Sequence, residues 1–490
     1  MNKPIRYLAI ACLTMFLALV ANVNYVQFVQ ADELNDKSGN RRVIDEEYSR
    51  ARGPILVAGE PIAQSVKSND RYVYQRTYPD GGLYAPLTGY FSYIFGQGNI
   101  EKSQNRVLSG SDNRLFVNRV VDLLSNKQPK GGSVELTIDP LAQKTAAEGL
   151  EALGKDTLGA VAAINPQTGE ILAMVSQPSY DPNRLASHDF SEVTDAWDSL
   201  TADEDQPMLN RATQQILPPG STFKLVTAAA ALENGVVNDI DDKIKAGSTL
   251  SFPGIEYTLP NENGGNCGGD KITFERALNV SCNVAFGALA GEIGQDKLAE
   301  QAQRFGFGTD DLKGIPLNAS RFTAADTQLE APQLAQTGIG QFEVAATPLQ
   351  MAMVAGAIAN DGDVMKPYLV KSVRSPSLSV LEQGKPERFG QAMSSSNASK
   401  LQQMMISTVE QGTATVAQIA GIDVGAKTGT AQSTPDRPPY AWFVAFAPAD
   451  NPQVAVAVVV ESSDTVRDEI AGGRLAGPIA RSVMEAVLGK

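Results

Sequence analysis

The clearest β-strands of this chain lie far apart in the sequence, and that separation limits the folds it can adopt. One predicted hairpin pairs residues 160–164 with residues 171–175 across the turn 165–169, whose Asn, Pro and Gly residues favour a reversal. A second pair of apolar strands is predicted at 440–447 and 454–460. Helical patterns occupy much of the sequence between the two pairs. We therefore expect an α+β fold, in which one antiparallel sheet takes strands from distant segments and helices pack on it.

Local signals near these strands predict three further elements. The alternating segment 134–138 is typical of a strand. Asp139 is a predicted N-cap for a helix that continues to about Leu153, with Pro140 in its first position. A terminal helix is predicted to begin at Pro478, because an apolar face with helical spacing follows it.

The length of 490 residues favours more than one folded unit, since a single core rarely grows this large. We divide the chain at two positions. Residues 1–30 form a cytoplasmic tip and an apolar anchor, residues 31–137 a linker and a small irregular module with short strands, and residues 138–490 the main domain. The middle module carries no recognisable chemistry, so we expect it to act as a spacer or in dimerisation.

An apolar segment near the N-terminus predicts a membrane anchor. It follows Lys3 and Arg6, covers residues 7–21 and continues with further apolar residues to Phe28, close to the ~20 residues that cross a bilayer. A cleaved signal peptide is the alternative, but no convincing cleavage site between small residues follows. Positive charge before the span favours a cytoplasmic N-terminus. The prediction is a single-pass protein of the cell membrane whose remaining domains are extracytoplasmic.

Two counts exclude whole classes of function. The chain has one histidine, His188, in a polar stretch that suggests a solvated loop, so a histidine-rich metal site cannot form. No partners for a Ser-His-Asp triad are evident near it. The formal net charge is −14, which disfavours contact with phosphate backbones. We therefore expect no metal site and no nucleic-acid partner.

A serine and a lysine three positions apart, Ser221 and Lys224, are the strongest catalytic candidates. They open an Ala-rich helix after the rigid entry Pro218-Pro219-Gly220, and this spacing puts both side chains on one helix face. A serine becomes nucleophilic when a base removes its proton, and a lysine buried among apolar residues can be neutral and serve as that base. An N-cap serine followed by a surface lysine is the alternative, and it is the commoner explanation of such a spacing taken alone.

Two more motifs favour the catalytic interpretation. Ser281 and Asn283 lie between apolar residues, and the segment Lys427-Thr428-Gly429-Thr430 precedes the C-terminal pair of strands. A lysine and hydroxyl groups on a strand can hold a substrate carboxylate, and glycine allows the substrate backbone to approach closely. Three similar tripeptides lie in segments that do not fit such a site: Lys37-Ser38-Gly39, Ser111-Asp112-Asn113 and Ser395-Ser396-Asn397.

The three motifs together resemble the active-site motifs of the serine penicillin-binding proteins and serine β-lactamases. Other segments resemble the same family along nearly the whole chain, and the match is closest to class B enzymes of actinobacteria. These segments are 52–55, 137–139, 165–174, 209–211, 337–341 and 347–352. The resemblance implies a five-stranded antiparallel sheet packed with helices in residues 138–490. It also implies a D,D-transpeptidase that cross-links peptidoglycan stem peptides and is acylated by β-lactams.

The resemblance implies a catalytic role for four residues. Ser221 would attack the carbonyl of the penultimate D-Ala of a stem peptide, and Lys224 would take its proton. Ser281 would relay a proton to the departing D-Ala, and Asn283 would hold Lys224 and the substrate amide. An amine from a neighbouring stem would then resolve the acyl-enzyme, with no metal and no organic cofactor.

Substrate binding is assigned by the same resemblance to the Lys427 motif. Lys427, Thr428 and Thr430 would bind the terminal carboxylate, with Gly429 between the two threonines. The backbone N–H groups of Ser221 and Thr430 would form the oxyanion hole.

The class and the partner follow from what lies between the anchor and the main domain. That segment is too short, and wrong in motif, for the glycosyltransferase domain of bifunctional relatives. The resemblance is therefore to monofunctional class B enzymes, and it implies a separate membrane polymerase that makes the glycan strands. Two alternatives stay open: a D,D-carboxypeptidase or β-lactamase-like hydrolase on the same fold, and a catalytically silent scaffold of wall synthesis.

Two of the three cysteines are predicted to form a disulfide. Cys267 and Cys282 fall on the extracytoplasmic side, where disulfides persist, whereas Cys12 lies in the apolar anchor. The glycine-rich loop 263–269 would allow Cys267 to reach Cys282, the middle residue of the Ser281 motif. Two free thiols are the alternative.

Overall fold

The structure is a computed structural model, and it describes residues 3–30, 34, 45, 47–115, 124–125, 130–310, 314–323, 327–433 and 437–490. Its strands are β1 (Ile55–Val57), β2 (Glu60–Lys67), β3 (Tyr74–Thr77), β4 (Phe91–Ser92), β5 (Gly96–Gln97), β6 (Ser133–Leu136), β7 (Leu158–Ile164), β8 (Ile171–Gln177), β9 (Lys243–Lys245), β10 (Thr249–Phe252), β11 (Ile255–Pro260), β12 (Lys271–Thr273), β13 (Asp363–Met365), β14 (Val370–Arg374), β15 (Val380–Gln383), β16 (Arg388–Gln391), β17 (Gly425–Ala431), β18 (Tyr440–Ala447) and β19 (Val454–Ser462). Its helices are α1 (Lys3–Phe28), α2 (Gly81–Thr88), α3 (Asn99–Ser103), α4 (Asn105–Ser109), α5 (Pro140–Glu151), α6 (Asn183–Ala186), α7 (Phe190–Ala202), α8 (Arg211–Gln214), α9 (Lys224–Glu233), α10 (Phe274–Asn279), α11 (Asn283–Ile293), α12 (Gln295–Arg304), α13 (Ala331–Gly338), α14 (Pro348–Ala359), α15 (Ser395–Gln411) and α16 (Gly472–Leu488).

The antiparallel sheet predicted for the main domain is confirmed, with five strands in the order β17-β18-β19-β7-β8. The two distant strand pairs meet where β19 pairs with β7, with Val458 opposite Val161. Both faces of the sheet are buried. Helix α14 packs on one face, and α5 and α16 pack on the other. Burial on both sides explains why the central strands are apolar throughout rather than alternating.

The helix predicted after Asp139 is confirmed as α5. The Asp139 side chain accepts hydrogen bonds from the backbone N–H groups of Leu141 and Ala142, and Pro140 is the first helical residue. These contacts satisfy donors that the first turn of a helix leaves unpaired. The helix ends at Glu151, two residues before the predicted end.

The predicted start of the terminal helix at Pro478 is wrong. Helix α16 begins at Gly472, and Pro478 lies inside it. The first turn packs directly on the sheet, because a Cβ on Gly472 would stand 2.0 Å from the Trp442 carbonyl oxygen and 2.4 Å from that of Gly429. Glycines usually indicate a break in a helix, so close packing on the sheet hid this helix start from a reading of the sequence.

A second sheet has six strands in the order β15-β14-β6-β1-β2-β3. Four of these strands precede residue 137, whereas β14 and β15 come from residues 370–383. Strand β6 lies between β1, to which it is parallel, and β14, to which it is antiparallel. The division of the chain at residues 137/138 stays a prediction, and this sheet takes strands from both sides of it.

A buried ionic cluster stabilises the segment around Arg52. The fully buried Glu101 accepts hydrogen bonds from Arg52 Nε at 2.6 Å, Arg76 Nε at 2.7 Å and the Tyr78 hydroxyl at 3.1 Å. Burial raises the pKa of Glu101, but the charges of Arg76 and Arg52 outweigh it and hold that pKa below its ordinary value. The carboxylate is therefore ionised and paired, as a buried charge requires.

Helix α1 has the length and composition of a membrane span. An 18-residue window within residues 3–27 has a mean hydropathy of 1.9, and no residue of that window is buried in the protein. At 1.5 Å per residue the helix is about 39 Å long, which exceeds the ~30 Å hydrocarbon core of a bilayer. The linker predicted to follow this anchor from residue 31 begins in a stretch that falls almost entirely outside the described residues.

His188 lies in the loop between α6 and α7, as predicted, but the prediction that its side chain is solvated is wrong. Its side chain is 11% exposed, and its Nδ1 atom is hydrogen-bonded to Asp70. The imidazole ring packs against Tyr72, with centroids 4.8 Å apart, and against Tyr48, with centroids 5.8 Å apart. His188 is thus a packing residue between the N-terminal strands and the main domain.

Candidate active site

Ser221 lies in a 3-10 turn, Gly220–Phe223, that continues directly into helix α9 at Lys224. Side chains three positions apart are aligned in a 3-10 turn, which brings Ser221 and Lys224 to the same side of the chain. Ser221 is 7% exposed and Lys224 is fully buried. The serine therefore reaches solvent while the lysine lies behind it.

Two glycines allow the Ser221 turn to lie against strand β17. Gly220 has a φ of 54°, and its N–H donates to the Gly340 carbonyl oxygen at 2.9 Å. A Cβ on Gly220 would stand 2.9 Å from the Thr430 oxygen, and one on Gly340 would stand 1.9 Å from the Gly220 oxygen. Any larger residue at either position would separate the Ser221 turn from Thr430.

The three sequence motifs meet at the hydroxyl of Ser281. Lys224 Nζ donates to Ser281 Oγ at 3.2 Å, to the Ser281 carbonyl at 2.7 Å and to Asn283 Oδ1 at 2.7 Å. Lys427 Nζ donates to Ser281 Oγ at 2.9 Å and to the Thr428 carbonyl at 2.8 Å. Because Ser281 Oγ accepts from both lysines, its own proton is left to be donated elsewhere. We call this set of side chains, Lys224, Ser281, Asn283 and Lys427, the lysine cluster.

The environment of the lysine cluster lowers the pKa of both of its lysines and so favours the uncharged form of their side-chain amines. Burial is the main reason that the pKa of Lys224 is held well below its ordinary value, and the neighbouring Lys427 lowers it further. Burial also lowers the pKa of Lys427, to about 7. The carboxylate of Glu262 acts in the opposite direction on both groups. A neutral Lys224 can accept a proton, and a Lys427 that is still partly charged can attract an anion.

The Ser281 segment is held in an unusual backbone conformation. Ser281 has a φ of 56°, a value uncommon outside glycine. The next residue, Cys282, forms a disulfide with Cys267. Asn261 Oδ1 accepts a hydrogen bond from the Val284 N–H at 3.0 Å, at the start of α11. The disulfide and this hydrogen bond fix the direction in which the Ser281 carbonyl and hydroxyl point.

An open groove of about 650 Å³ lies in front of Ser221. Its lining residues come from the Ser221 turn, β11 and the loop that follows it, the start of α11, the segment 336–341, the chain on either side of the β17–β18 turn, and the segment 467–470. They are Ser221, Tyr257, Leu259, Pro260, Asn261, Glu262, Asn283, Gln336, Ile339, Gln341, Thr430, Gln432, Pro439, Arg467 and Ile470. The groove volume lies in the range of ~300–1,000 Å³ typical of ligand-binding pockets, so the groove can hold part of a peptide beside β17.

The residues predicted to bind substrate divide into two groups. Thr430 lines the groove. The Thr428 hydroxyl instead forms a hydrogen bond with Thr413 Oγ1 at 2.8 Å. Gly429 leaves no room for a side chain, since a Cβ there would stand 2.9 Å from Thr222 Cγ2. The structure thus brings Thr430 to the groove wall, keeps the fully buried Lys427 behind it at Ser281 Oγ, and directs Thr428 towards its neighbour.

The tripeptides set aside in the sequence lie in other surroundings. Ser395 to Asn397 form the first turn of α15, where Asn397 Nδ2 donates to Glu233 Oε1 at 2.6 Å. Ser111 Oγ is 2.9 Å from Ser109 Oγ, in the N-terminal part of the chain. The third, residues 37–39, lies outside the described residues.

Sequence reasoning missed three residues that shape the site: Asn261, Glu262 and Gly340. Gly340 was inside a segment singled out for its resemblance, but no local signal marked it as a support for the Ser221 turn. Asn261 and Glu262 follow a strand in a polar loop and look like any solvated turn. Only the folded chain places this loop beside Asn283, whose Nδ2 donates to the Pro260 carbonyl at 3.3 Å.

Comparisons with known proteins agree with this geometry. A family model described as the penicillin binding protein transpeptidase domain matches residues 159–485. A second, the penicillin binding protein A dimerisation domain, matches residues 52–134. The chain is 41% identical over 493 residues to the peptidoglycan D,D-transpeptidase PbpA of Mycolicibacterium smegmatis, covering 100% of this chain and 99% of that protein. It is 38% identical over 497 residues to the protein of the same name from Mycobacterium tuberculosis, with the same coverage.

Solved structures give the same result. The structure of penicillin-binding protein A from M. tuberculosis as a ceftriaxone acyl-enzyme has a TM-score of 0.86 and 38% identity, covering 91% of this chain and 100% of that chain. A D,D-transpeptidase domain from Eggerthella lenta has a TM-score of 0.76 and 33% identity, covering 90% and 99%. The resemblance to actinobacterial class B enzymes is thereby confirmed, and this chain belongs to the penicillin-binding proteins of class B.

Proposed function

We propose that this chain is a peptidoglycan D,D-transpeptidase that forms an acyl-enzyme on Ser221 and is acylated by β-lactams. The observation that carries the proposal is the Ser281 hydroxyl held between two buried lysines, beside a serine at the floor of an open groove. The family supports it, since similar proteins from two mycobacteria are named peptidoglycan D,D-transpeptidases. A similar structure is a β-lactam acyl-enzyme.

Acylation begins with Ser221. Lys224, neutral because of its burial, takes the hydroxyl proton, and Ser221 Oγ attacks the carbonyl carbon of the penultimate D-Ala. The developing oxyanion is stabilised by the backbone N–H groups of Ser221 and Thr430. The C–N bond then breaks as Ser281 Oγ donates its proton to the leaving D-Ala nitrogen. The hydrogen bond from Lys224 to Ser281 Oγ, 3.2 Å long, gives the proton its route back.

Substrate orientation depends on the terminal carboxylate. Lys427 and Thr430 hold it against β17, and Gly429 lets the substrate backbone approach the strand. Thr428 contributes once its hydroxyl rotates away from Thr413. Asn283, whose Oδ1 holds Lys224 at 2.7 Å, also contacts the substrate amide.

Deacylation decides between transfer and hydrolysis. In a transpeptidase the amine of a second stem peptide attacks the Ser221 ester, and in a carboxypeptidase or β-lactamase water does so. The groove in front of Ser221 is open, with a volume of about 650 Å³, so either nucleophile can reach the ester. No metal and no organic cofactor takes part in either half of this mechanism.

The location and the partners form part of the same proposal. Helix α1 anchors the chain in the cell membrane as a single span, and the catalytic domain is extracytoplasmic. The disulfide Cys267–Cys282 suits that compartment. A membrane polymerase supplies the glycan strands whose stem peptides are joined. Residues 31–137 act as a spacer or in dimerisation, in agreement with the family match at 52–134.

One experiment tests the proposal against its alternatives. One portion of the full chain in detergent is incubated with fluorescent penicillin, and a separate, unlabelled portion is incubated with a D-Ala thioester donor and an amine acceptor. A transpeptidase stays labelled for a long time and forms the amide product. Rapid loss of label, with hydrolysed penicillin and no amide, would identify a hydrolase. Absence of any label would identify a catalytically silent scaffold.

A further inference from the structure

The groove has a single carboxylate among its described lining residues, that of Glu262. The other charged lining residue is Arg467. Glu262 is exposed to solvent and forms no hydrogen bond or ion pair with any residue that the structure describes. An unpaired carboxylate inside a substrate groove is available for a ligand, because no hydrogen bond or ion pair within the described chain has to be broken first.

The position of Glu262 is fixed by its neighbours. The adjacent Asn261 is 7% exposed, and its Nδ2 donates to the carbonyls of Gly247 and Gly265, each at 2.7 Å. Its Oδ1 accepts from the Val284 N–H at 3.0 Å. Val284 directly follows Asn283, so these bonds tie the loop that holds Glu262 to the start of α11, where Asn283 of the lysine cluster lies. The carboxylate is therefore held beside the acylation site although its side chain is exposed.

The charge of Glu262 suits one kind of substrate group. A donor peptide brings its terminal carboxylate to Lys427 and Thr430, and a carboxylate at Glu262 would repel that group. The nucleophile that resolves the acyl-enzyme is a primary amine, which is an ammonium ion in neutral solution. Such a cation is repelled by Lys427 whenever that lysine is charged, and Glu262 offsets this repulsion. Glu262 raises the pKa of Lys224 and of Lys427, whereas burial lowers both, and this effect agrees with a position of Glu262 near the two lysines.

We propose that Glu262 binds a primary ammonium group of a peptidoglycan stem peptide at the edge of the acylation site. This inference rests on the proposed transpeptidase function. The bound ammonium loses one proton to solvent, and the neutral amine attacks the carbonyl carbon of the Ser221 ester. A C–N bond forms and the C–Oγ bond breaks with its electron pair on Oγ, which takes the second amine proton through Lys224. Glu262 acts by binding and is not the base.

Two sources can supply such an ammonium group. It is either the acceptor amine that attacks the ester or a side-chain amine on the donor peptide. Both are primary ammonium ions, and they act in different half-reactions. The donor group affects acylation, whereas the acceptor group affects only the fate of the acyl-enzyme.

The test compares the wild-type full chain with Glu262→Gln and with Glu256→Gln. Glu256 is an exposed carboxylate on β11, the strand that leads to Glu262, and it does not line the groove, so it is the matched control. In the acceptor arm, acyl-enzyme formed from a D-Ala thioester is offered Nα-acetyl-lysine amide or hydroxylamine. The first acceptor is a cation and the second is uncharged at neutral pH. In the donor arm, a thioester with a free lysine side chain is compared with its acetylated form.

We expect Glu262→Gln to reduce the rate ratio of the cationic acceptor to hydroxylamine by about fivefold, the effect of one solvent-accessible ion pair. Glu256→Gln should leave the ratio unchanged. A fivefold loss confined to the donor arm also supports the site and assigns it to the donor. Unchanged ratios in both arms would overturn the inference. Failure of the wild-type protein to form an acyl-enzyme would instead overturn the proposed function, so the two failures are distinguishable.

Discussion

At the scale of single residues, the proposed chemistry depends on how Lys224 is buried. Lys224 is fully buried, and a charged amine that is removed from water has an unfavourable free energy. Burial therefore favours the neutral form of Lys224. A neutral amine has two N–H groups, and these suit the two shorter hydrogen bonds, 2.7 Å each to the Ser281 carbonyl and Asn283 Oδ1, which hold Lys224 in place and leave its lone pair available. A lysine that is both neutral and fixed is suited to accept the proton of Ser221.

Replacing Ser221 by alanine should abolish covalent labelling by a β-lactam. The hydroxyl has no hydrogen-bond partner among the described residues, so the free energy of unfolding should change by less than ~0.5 kcal/mol. Gel fluorescence and thermal unfolding measure the two effects. Ser111→Ala and Ser395→Ala serve as controls and should label fully. Mass spectrometry that located the drug on any residue other than Ser221 would contradict the assignment.

Replacing Lys224 by arginine should slow acylation by a factor of about 10²–10⁴, because arginine keeps its proton at working pH and cannot act as a base. The rate of labelling by fluorescent penicillin measures the loss. Lys224→Met, which removes the charge but keeps much of the length, tests whether bulk alone explains the result. If Lys224→Arg were acylated at nearly the wild-type rate, Lys224 could not be the base.

The rate of acylation should depend on pH in two directions. It rises with pH as Lys224 loses its proton, since only the neutral amine accepts one from Ser221. It falls above about pH 7 as Lys427, whose pKa is lowered to about 7, loses the charge that attracts the carboxylate. A bound carboxylate raises the pKa of Lys427, so the alkaline limb should move upward at saturating penicillin. A second-order rate constant that stayed level to pH 9 would contradict this role of Lys427.

At the scale of elements, the disulfide and the segment it ties determine where Ser281 points. The bridge joins residues 15 positions apart and includes the residue between Ser281 and Asn283. Helix α11 begins at Asn283, so the same constraint sets the start of the helix that carries one partner of Lys224. A change in this loop is therefore transmitted to the lysine cluster.

Removal of the disulfide should lower both stability and acylation rate. Closing a loop of this length is worth about 3 kcal/mol in the chain-entropy model, so Cys267→Ser should lose about that much free energy of unfolding. Denaturant unfolding measures the loss, and Cys12→Ser is the control. In the oxidised, denatured wild type, a thiol reagent should react with Cys12 alone. Reaction of all three cysteines with the reagent, or a Cys267→Ser variant with the same free energy of unfolding as the wild type, would contradict the prediction.

At the scale of the whole molecule, the N-terminal strands and the main domain are joined in one sheet. Strand β14 pairs with β6, so residues 370–374 complete a sheet that begins at residue 55. Without the N-terminal strands, β14 would expose an unpaired edge, which favours aggregation. The aromatic contacts of His188 with Tyr48 and Tyr72 join the same two parts of the chain.

A fragment of residues 138–490 should therefore unfold at a lower temperature than one of residues 47–490, and it should aggregate more readily. The longer fragment lacks only α1 and the segment that follows it, and α1 buries nothing in the protein, so it should keep the acylation rate of the full chain. Thermal unfolding, light scattering and penicillin labelling measure these differences. Equal melting temperatures for the two fragments would show that the shared sheet contributes little.

The sequence by itself determined the features that depend on short stretches of chain. The apolar strands 440–447 and 454–460, the cap at Asp139 and the three catalytic motifs could be read locally, because burial, capping and residue chemistry leave a mark on neighbouring residues. The resemblance of the motifs to a known family then supplied the five-stranded sheet.

Only the tertiary structure decided several other contacts between segments that are distant in the sequence. It placed β14 beside β6, started α16 at Gly472 and brought Glu262 to the groove. Each of these features depends on atoms that are far apart in the chain. The edge of β14 needs a partner strand, the backbone at Gly472 lies too close to the sheet for a Cβ, and Asn261 ties the Glu262 loop to the start of α11. Such contacts leave little local pattern in the sequence, because a polar turn or a pair of glycines that makes a tertiary contact has the same local sequence as one that does not.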